Sequence, residues 1–304
     1  TAGRTMYLEG GALFFRGDLK TGKLNHKKVM TMVEDGKELQ ADGGLSTPPA
    51  LTDVMSMHNG KLYIRQLCVD NDGNRDKGDA HLFAPYGFTD DEWFHRAYWT
   101  YGDLYDGGHG GYPKGHKVSP SGRMVVFDDQ NVYAYGRERQ YLKWTTEMEY
   151  YLFSATRQDK WTPPSASVKD PEPSSGKKKK GQSSAGNYNL EKEIQWSCKI
   201  PVAVRAMVKA GDTLFMAGPP DVLDEDVMFQ EIHLPGSDPI IEEQNASYLG
   251  ELGSIIYAVD AKTGKMLVSM EIDEVPAFDG LITANGKIYM STTEGELVCF
   301  TPEK

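Results

Sequence analysis

Four oxygen-bearing side chains alternate in the segment 68–79: Asp70, Asp72, Asn74 and Asp76. Such spacing resembles the early ligands of a calcium loop, where carboxylates and an amide converge on a hard cation. The pattern then departs. Arg75 stands where a helix–loop–helix calcium site takes its turn glycine, and His81 stands where it takes a bidentate glutamate. Two readings stay open: a solvated polar hairpin loop, and a calcium site made by these four residues with loop carbonyls.

A second constellation follows. His81, His95, His109 and His116 lie close in sequence, with Asp90, Asp91 and Glu92 between them. Imidazoles beside carboxylates can hold a metal or shuttle protons. They can equally form a satisfied polar network beneath the aromatic stripe Phe83, Tyr86, Phe88, Trp93, Phe94, Tyr98, Trp99 and Tyr101. Core packing is the expectation for that stripe. The run Lys177–Lys180 could meet phosphate, but its Ser, Gly and Pro neighbours predict a solvated tip. Cys68, Cys198 and Cys299 show no metal-ligand or haem-attachment spacing. Their apolar contexts predict buried reduced thiols, with one disulfide open as an alternative.

The elements that must position these groups are strands. Residues 253–300 hold short runs, SIIYAVD, KMLVSMEI, GLITA with KIYMST, and ELVCF, separated by Thr263-Gly264, Asn285-Gly286 and Glu294-Gly295. Apolar runs of this length with turn residues between them predict an antiparallel meander. The pattern recurs. Asp18, Thr21, Gly22 and Lys23 repeat as Asp260, Thr263, Gly264 and Lys265, and NGKLYI at 59–64 repeats as NGKIYM at 285–290. Hairpins are also expected over 123–137 and 206–218. Repeated strand–turn–strand units at this spacing predict an all-β fold, a β-propeller of four-stranded antiparallel blades. Residues 162–188, rich in Pro, Ser and Lys, read as a disordered insertion within a single domain spanning 1–304.

Composition bounds the function. With 33 basic against 44 acidic residues the net charge is −11, which argues against a nucleic-acid partner that would demand a basic face. No apolar run is long enough to span a membrane. The chain opens at TAGRTMYLEGG, without an initiator Met or an apolar leader, and reads as the middle of a folded segment. A processed or truncated product is therefore expected.

The sequence YAVDAKTGK resembles the repeat of PQQ-like, quinoprotein-type β-propellers. Together with HLFAPYGFTDDEWFHRAYW, GRMVVFDDQNVYAYGR and AMVKAGDTLFMAGPPDV, it resembles the bacterial PQQ-binding-like β-propeller repeat proteins, an exported group. The resemblance implies the propeller fold and a periplasmic or cell-surface location. Two departures stand out. The family places Trp three residues after the repeat Lys, where this chain has His26 and Val268. The first repeat also comes almost at residue 1, so the chain resembles the C-terminal part of a ring. It is expected to form a partial or composite ring of five to six blades, with the remaining blades belonging to another polypeptide, a removed segment or a further part of the same gene product.

The family's quinone site does not carry over, because no adjacent cysteines occur and no Asp matches its base. PQQ is thus not expected as a cofactor, and calcium is the one candidate. No catalytic residue is assigned. The expected function is a non-catalytic exported scaffold for protein–protein or cell-envelope contacts, made through the Gly-rich loop 103–117 and the acidic segment 219–247. The alternative is a divergent PQQ-dependent oxidoreductase, or an accessory subunit of a redox assembly.

Overall fold

A computed structural model of the chain describes residues 2–8, 11–30, 33–34, 37–38, 55–64, 67–74, 76, 78–84, 99–102, 119–137, 149–158, 193–232, 234 and 236–301. The insertion at 162–188, the loop 103–117, His95, His109, His116, Asp90, Asp91, Glu92 and Lys177–Lys180 lie outside the described residues.

The described chain is mostly β-structure in small antiparallel sheets, strung in sequence order. Strands β1 (Ala2–Leu8), β2 (Gly11–Gly17) and β3 (Leu24–Met30) form the first sheet. A two-residue pair follows, β4 (Val33–Glu34) with β5 (Lys37–Glu38). Strands β6 (Met55–His58), β7 (Lys61–Ile64) and β8 (Leu67–Val69) form the next sheet. Then β10 (Trp99–Gly102) pairs with both β9 (His81–Phe83) and β11 (Ser121–Gly122). Two four-stranded sheets come next. One holds β12 (Met124–Phe127), β13 (Asn131–Arg137), β14 (Tyr150–Thr156) and β15 (Ile194–Cys198). The other holds β16 (Ala206–Ala210), β17 (Thr213–Gly218), β18 (Ser254–Asp260) and β19 (Met266–Ile272). The last sheet is β20 (Pro276–Ala284), β21 (Lys287–Thr292) and β22 (Leu297–Phe300).

The four-strand expectation therefore holds for two sheets, while the other main sheets show three strands among the described residues. The meander expected over 253–300 is divided. Its first two strands complete the sheet begun at β16, and its last three form a separate sheet. The all-β expectation also meets two helices, α1 (Glu225–Glu231) and α2 (Asp238–Tyr248), inserted between β17 and β18. Asp224 caps α1 by accepting the Val227 N–H at 2.9 Å, and a proline opens α2.

Strand alternation explains the packing. In the β12–β15 sheet, Met124, Tyr133, Tyr135 and Leu152 enter one core, shared with Met207, Leu214, Met216, Tyr257 and Val259 of the next sheet. Their neighbours Val125, Val132, Ala134, Phe153 and Ala155 enter a different core, with Ala80 and Tyr101. The β16–β19 sheet repeats this. Its other face sends Ala206, Ala217 and Ile256 against Leu281 and Met290 of the last sheet. A period of two thus loads both faces of each four-stranded sheet with apolar side chains. First strands meet across these junctions: β12 packs on β16, and β16 on β20.

Turn chemistry sets the hairpins. Asn59-Gly60 and Asn285-Gly286 all take positive φ, as a two-residue hairpin requires. At the repeat turns, the Asp18 carboxylate accepts the Thr21 N–H and hydroxyl, both at 2.8 Å, and Asp260 does the same with Thr263 at 2.9 and 2.8 Å. The Thr hydroxyl, with the nearby backbone N–H groups, holds each carboxyl below its usual range.

The second turn also docks a neighbouring sheet. The Trp196 indole N–H donates to the Ala261 carbonyl at 3.0 Å, and a Cβ on Gly264 would sit 2.6 Å from the ring. Only glycine fits there on two counts, space and a φ of +69°. At the first junction His26 takes the comparable place, its Nε2 lying 2.8 Å from the Asp72 carbonyl while Phe14 covers Gly73. Val268, by contrast, is exposed.

Gly22 and Gly264 share the same φ, but no described residue lies within 4 Å of a Cβ at Gly22. Gly22→Ala is expected to cost about 1–2 kcal/mol from backbone conformation alone. Gly264→Ala should lose about 1–3 kcal/mol beyond that, through overlap with the indole. Urea unfolding of both variants checks this; equal losses would contradict the docking role of Trp196.

Candidate functional site

The loop at 70–79 is built around Asp70. Its Oδ1 accepts the N–H groups of Asp72 and Asn74, each at 2.8 Å, and its Oδ2 accepts the Asn74 carboxamide at 2.9 Å. The Asn74 side chain, joined by those backbone donors, holds the Asp70 carboxyl below its usual range. The other three residues reach different partners. Asp72 pairs with Arg16 at 3.0 Å, Asn74 accepts from Lys28 at 2.7 Å, and Asp76 faces Lys61 at 3.6 Å. The structure thus gives all four residues protein partners, and through Asp72 and Asn74 it ties the β6–β8 sheet to the first sheet.

His81 is buried. Its Nδ1 lies 2.8 Å from the Asp79 carbonyl, and its ring stacks on Tyr63 with centroids 3.7 Å apart. This is the satisfied reading of that histidine. Phe83 and Tyr101 of the aromatic stripe are likewise buried. The three cysteines are free thiols; Cys68 is buried and Cys198 half-buried, but Cys299 is exposed, against the expectation of burial. Burial pushes the Cys68 and Cys198 thiols up, away from nucleophilic chemistry at neutral pH.

Carboxylates converge elsewhere. Glu149, directly before β14, Asp221, in the segment leaving β17, and Glu225, the first residue of α1, bring ligand oxygens within 4.8 Å of one another. Local structure explains the approach. The Asp221 N–H donates to the Pro201 carbonyl at 3.2 Å, extending the bridge between Val202 and Pro220. Gln244 of α2 accepts the Val222 and Leu223 N–H groups at 2.9 and 3.1 Å, which fixes the next stretch. The Glu225 N–H then donates to Glu149 at 3.1 Å, and the Tyr248 hydroxyl donates to Glu225 at 3.2 Å.

The charge balance is uneven. Lys199 lies 3.6 Å from Glu149 and hydrogen-bonds Asp224, which raises its own pKa. Burial, with the Glu149 charge second, pushes Asp221 up to about 7. Burial and the adjoining Glu149 push Glu225 up as well. Such a group can store a proton or accept a hard cation. The sequence marked 219–247 as a contact region, but Glu149 lies 70 residues before it and carried no motif of its own.

No family model matches the chain, and no curated protein matches it.

A carboxyl raised in the folded state binds its proton more tightly there than in the unfolded chain. The folded state then loses stability as pH climbs from the ordinary carboxylate range through the raised value. In chelator-treated protein, Tm is expected to fall between pH 5 and pH 8. Asp221→Asn and Glu225→Gln should each flatten that fall. Thermal unfolding across this range checks it, and an unchanged slope in both variants would refute the assignment.

Proposed function

We propose that the chain forms part of a β-propeller of the PQQ-like repeat type and serves as a non-catalytic, exported scaffold. In this reading a further β-sheet, carried by another polypeptide, covers the outer face of the last sheet. The observation that carries it is the face itself. In β20–β22, Leu281, Met290, Ile288 and Phe300 point into the core shared with the preceding sheet. The alternate row runs Ile282, Tyr289 and Cys299 across the three strands, with Leu297 beside it. Ile282 is 59% exposed and Leu297 70%.

An apolar row in register, on a sheet whose neighbours bury both faces, fits a surface made to be stacked upon. The packing of first strand on first strand between consecutive sheets supports the same architecture, because a propeller gathers its first strands around one axis. Partly covered sheets of this kind suit a binding frame better than a reaction vessel, since packed sheets fix the frame while loops vary. Export rests on the resemblance of the repeat sequences. Among the described residues, no helix is long and apolar enough to cross a membrane.

The native protein should therefore travel in an assembly heavier than one chain. The double variant Ile282→Asp/Leu297→Asp should release it as a folded monomer with an unchanged circular dichroism spectrum. Native mass spectrometry decides the matter. A wild-type monomer, or an assembly that survives both substitutions, would defeat the reading.

A further inference from the structure

We propose that Glu149, Asp221 and Glu225 hold a divalent cation, specifically Ca²⁺, at the junction of the β12–β15 sheet with the helical insertion. This proposal is independent of the propeller reading.

Distance is the first ground. Calcium–oxygen bonds run about 2.3–2.6 Å, so two oxygens on one ion stand at most about 5 Å apart. The three carboxylates meet that limit, with their ligand atoms within 4.8 Å of one another. Glu149 stands 72 residues before Asp221, so chain proximity does not explain its meeting with Asp221 and Glu225.

A separate ground is polar groups left without partners. Among the described residues, Asp221 Oδ1 and Glu225 Oε2 are each enclosed to less than 1 Å² of accessible surface, and neither receives a hydrogen bond. The Gln244 carboxamide, on a residue only 3% exposed, has its oxygen held by the Val222 and Leu223 N–H groups beside Asp221, and its Nε2 finds no acceptor among those residues. Buried polar atoms are costly when unpaired. A hydrated cation answers both needs. It takes the two bare oxygens directly, and a water of its shell offers an acceptor for the amide.

Charge and donor type choose the ion. Glu149, Asp221, Asp224 and Glu225 crowd around Lys199, whose ion pairs are with Glu149 and Asp224. Among the described residues, no ion pair reaches Asp221 or Glu225. All three ligands are carboxylates, without imidazole or thiolate, which disfavours zinc and copper. Magnesium demands near-ideal octahedral geometry, whereas calcium accepts irregular carboxylate sets completed by water.

Calorimetric titration of the chelator-stripped full chain with CaCl₂ should give one ion per chain, and saturating Ca²⁺ should raise Tm. Asp221→Asn and Glu225→Gln should each weaken binding at least tenfold, while Asp72→Asn should leave it unchanged. On the unaltered protein, bound Tb³⁺ should luminesce on excitation of Tyr248, which touches Glu225, and Ca²⁺ should quench the signal by competition. Absence of Ca²⁺ heat together with absence of sensitised Tb³⁺ emission would overturn the proposal. Binding lost in Asp72→Asn yet kept in Glu225→Gln would also overturn it, by moving the ion to the loop at 70–79.

Discussion

Two-sided burial governs this molecule. The β12–β15 and β16–β19 sheets feed alternate side chains into two separate cores, through every strand but the exposed β19. A buried Leu, Met or Phe contributes about 1.5–3 kcal/mol, and here that gain is spread over both faces of one backbone layer. The size pattern follows. In β13, Tyr133 and Tyr135 fill one side, while Val132 and Ala134 let the neighbouring sheet approach on the other. A slip of one residue would drive tyrosines into the space that alanine leaves, so packing alone fixes the register.

Stacked sheets also need fasteners against sliding. The chain makes them from a ring laid over a glycine in the neighbouring turn, with a ring nitrogen reaching a turn carbonyl. Trp196 acts this way on Ala261 and Gly264. At the first junction the task is divided: Phe14 covers Gly73, and the His26 nitrogen reaches the Asp72 carbonyl. The two junctions share a geometry without sharing residue types. At His26 the missing tryptophan thus leaves the contact in place, whereas Val268 stands exposed.

Local features were legible in the sequence. Asn-Gly at 59–60 and 285–286, and the Asp-x-x-Thr-Gly turns, depend on backbone freedom and on hydrogen bonds within five residues, and all appear where the sequence put them. Three things were not legible. The break between β19 and β20 is decided by which sheet each strand finds, not by the short turn between them. The helices at 225–248 lie in a segment whose acidic charge masked the N-cap at Asp224 and the proline opening α2. The carboxylate group needs Glu149 beside Asp221 and Glu225, and that meeting exists only after two sheets have packed. The loop at 70–79 illustrates the converse. Its alternating acids were conspicuous, yet their partners Arg16, Lys28 and Lys61 came from other strands.

Strands β14 and β15 are neighbours in one sheet, with Ala155 opposite Ile194. The chain between them runs through residues 157–193, yet their ladder is the same kind as that of β12 and β13, whose strands are joined by a three-residue turn. Loop closure grows only logarithmically with length, at about 0.6 kcal/mol for each doubling. Once the two faces of the sheet are filled, the length of that connection is nearly free to vary. It is the place where foreign sequence, a tag or a whole domain, could be grafted onto this protein at the least thermodynamic cost.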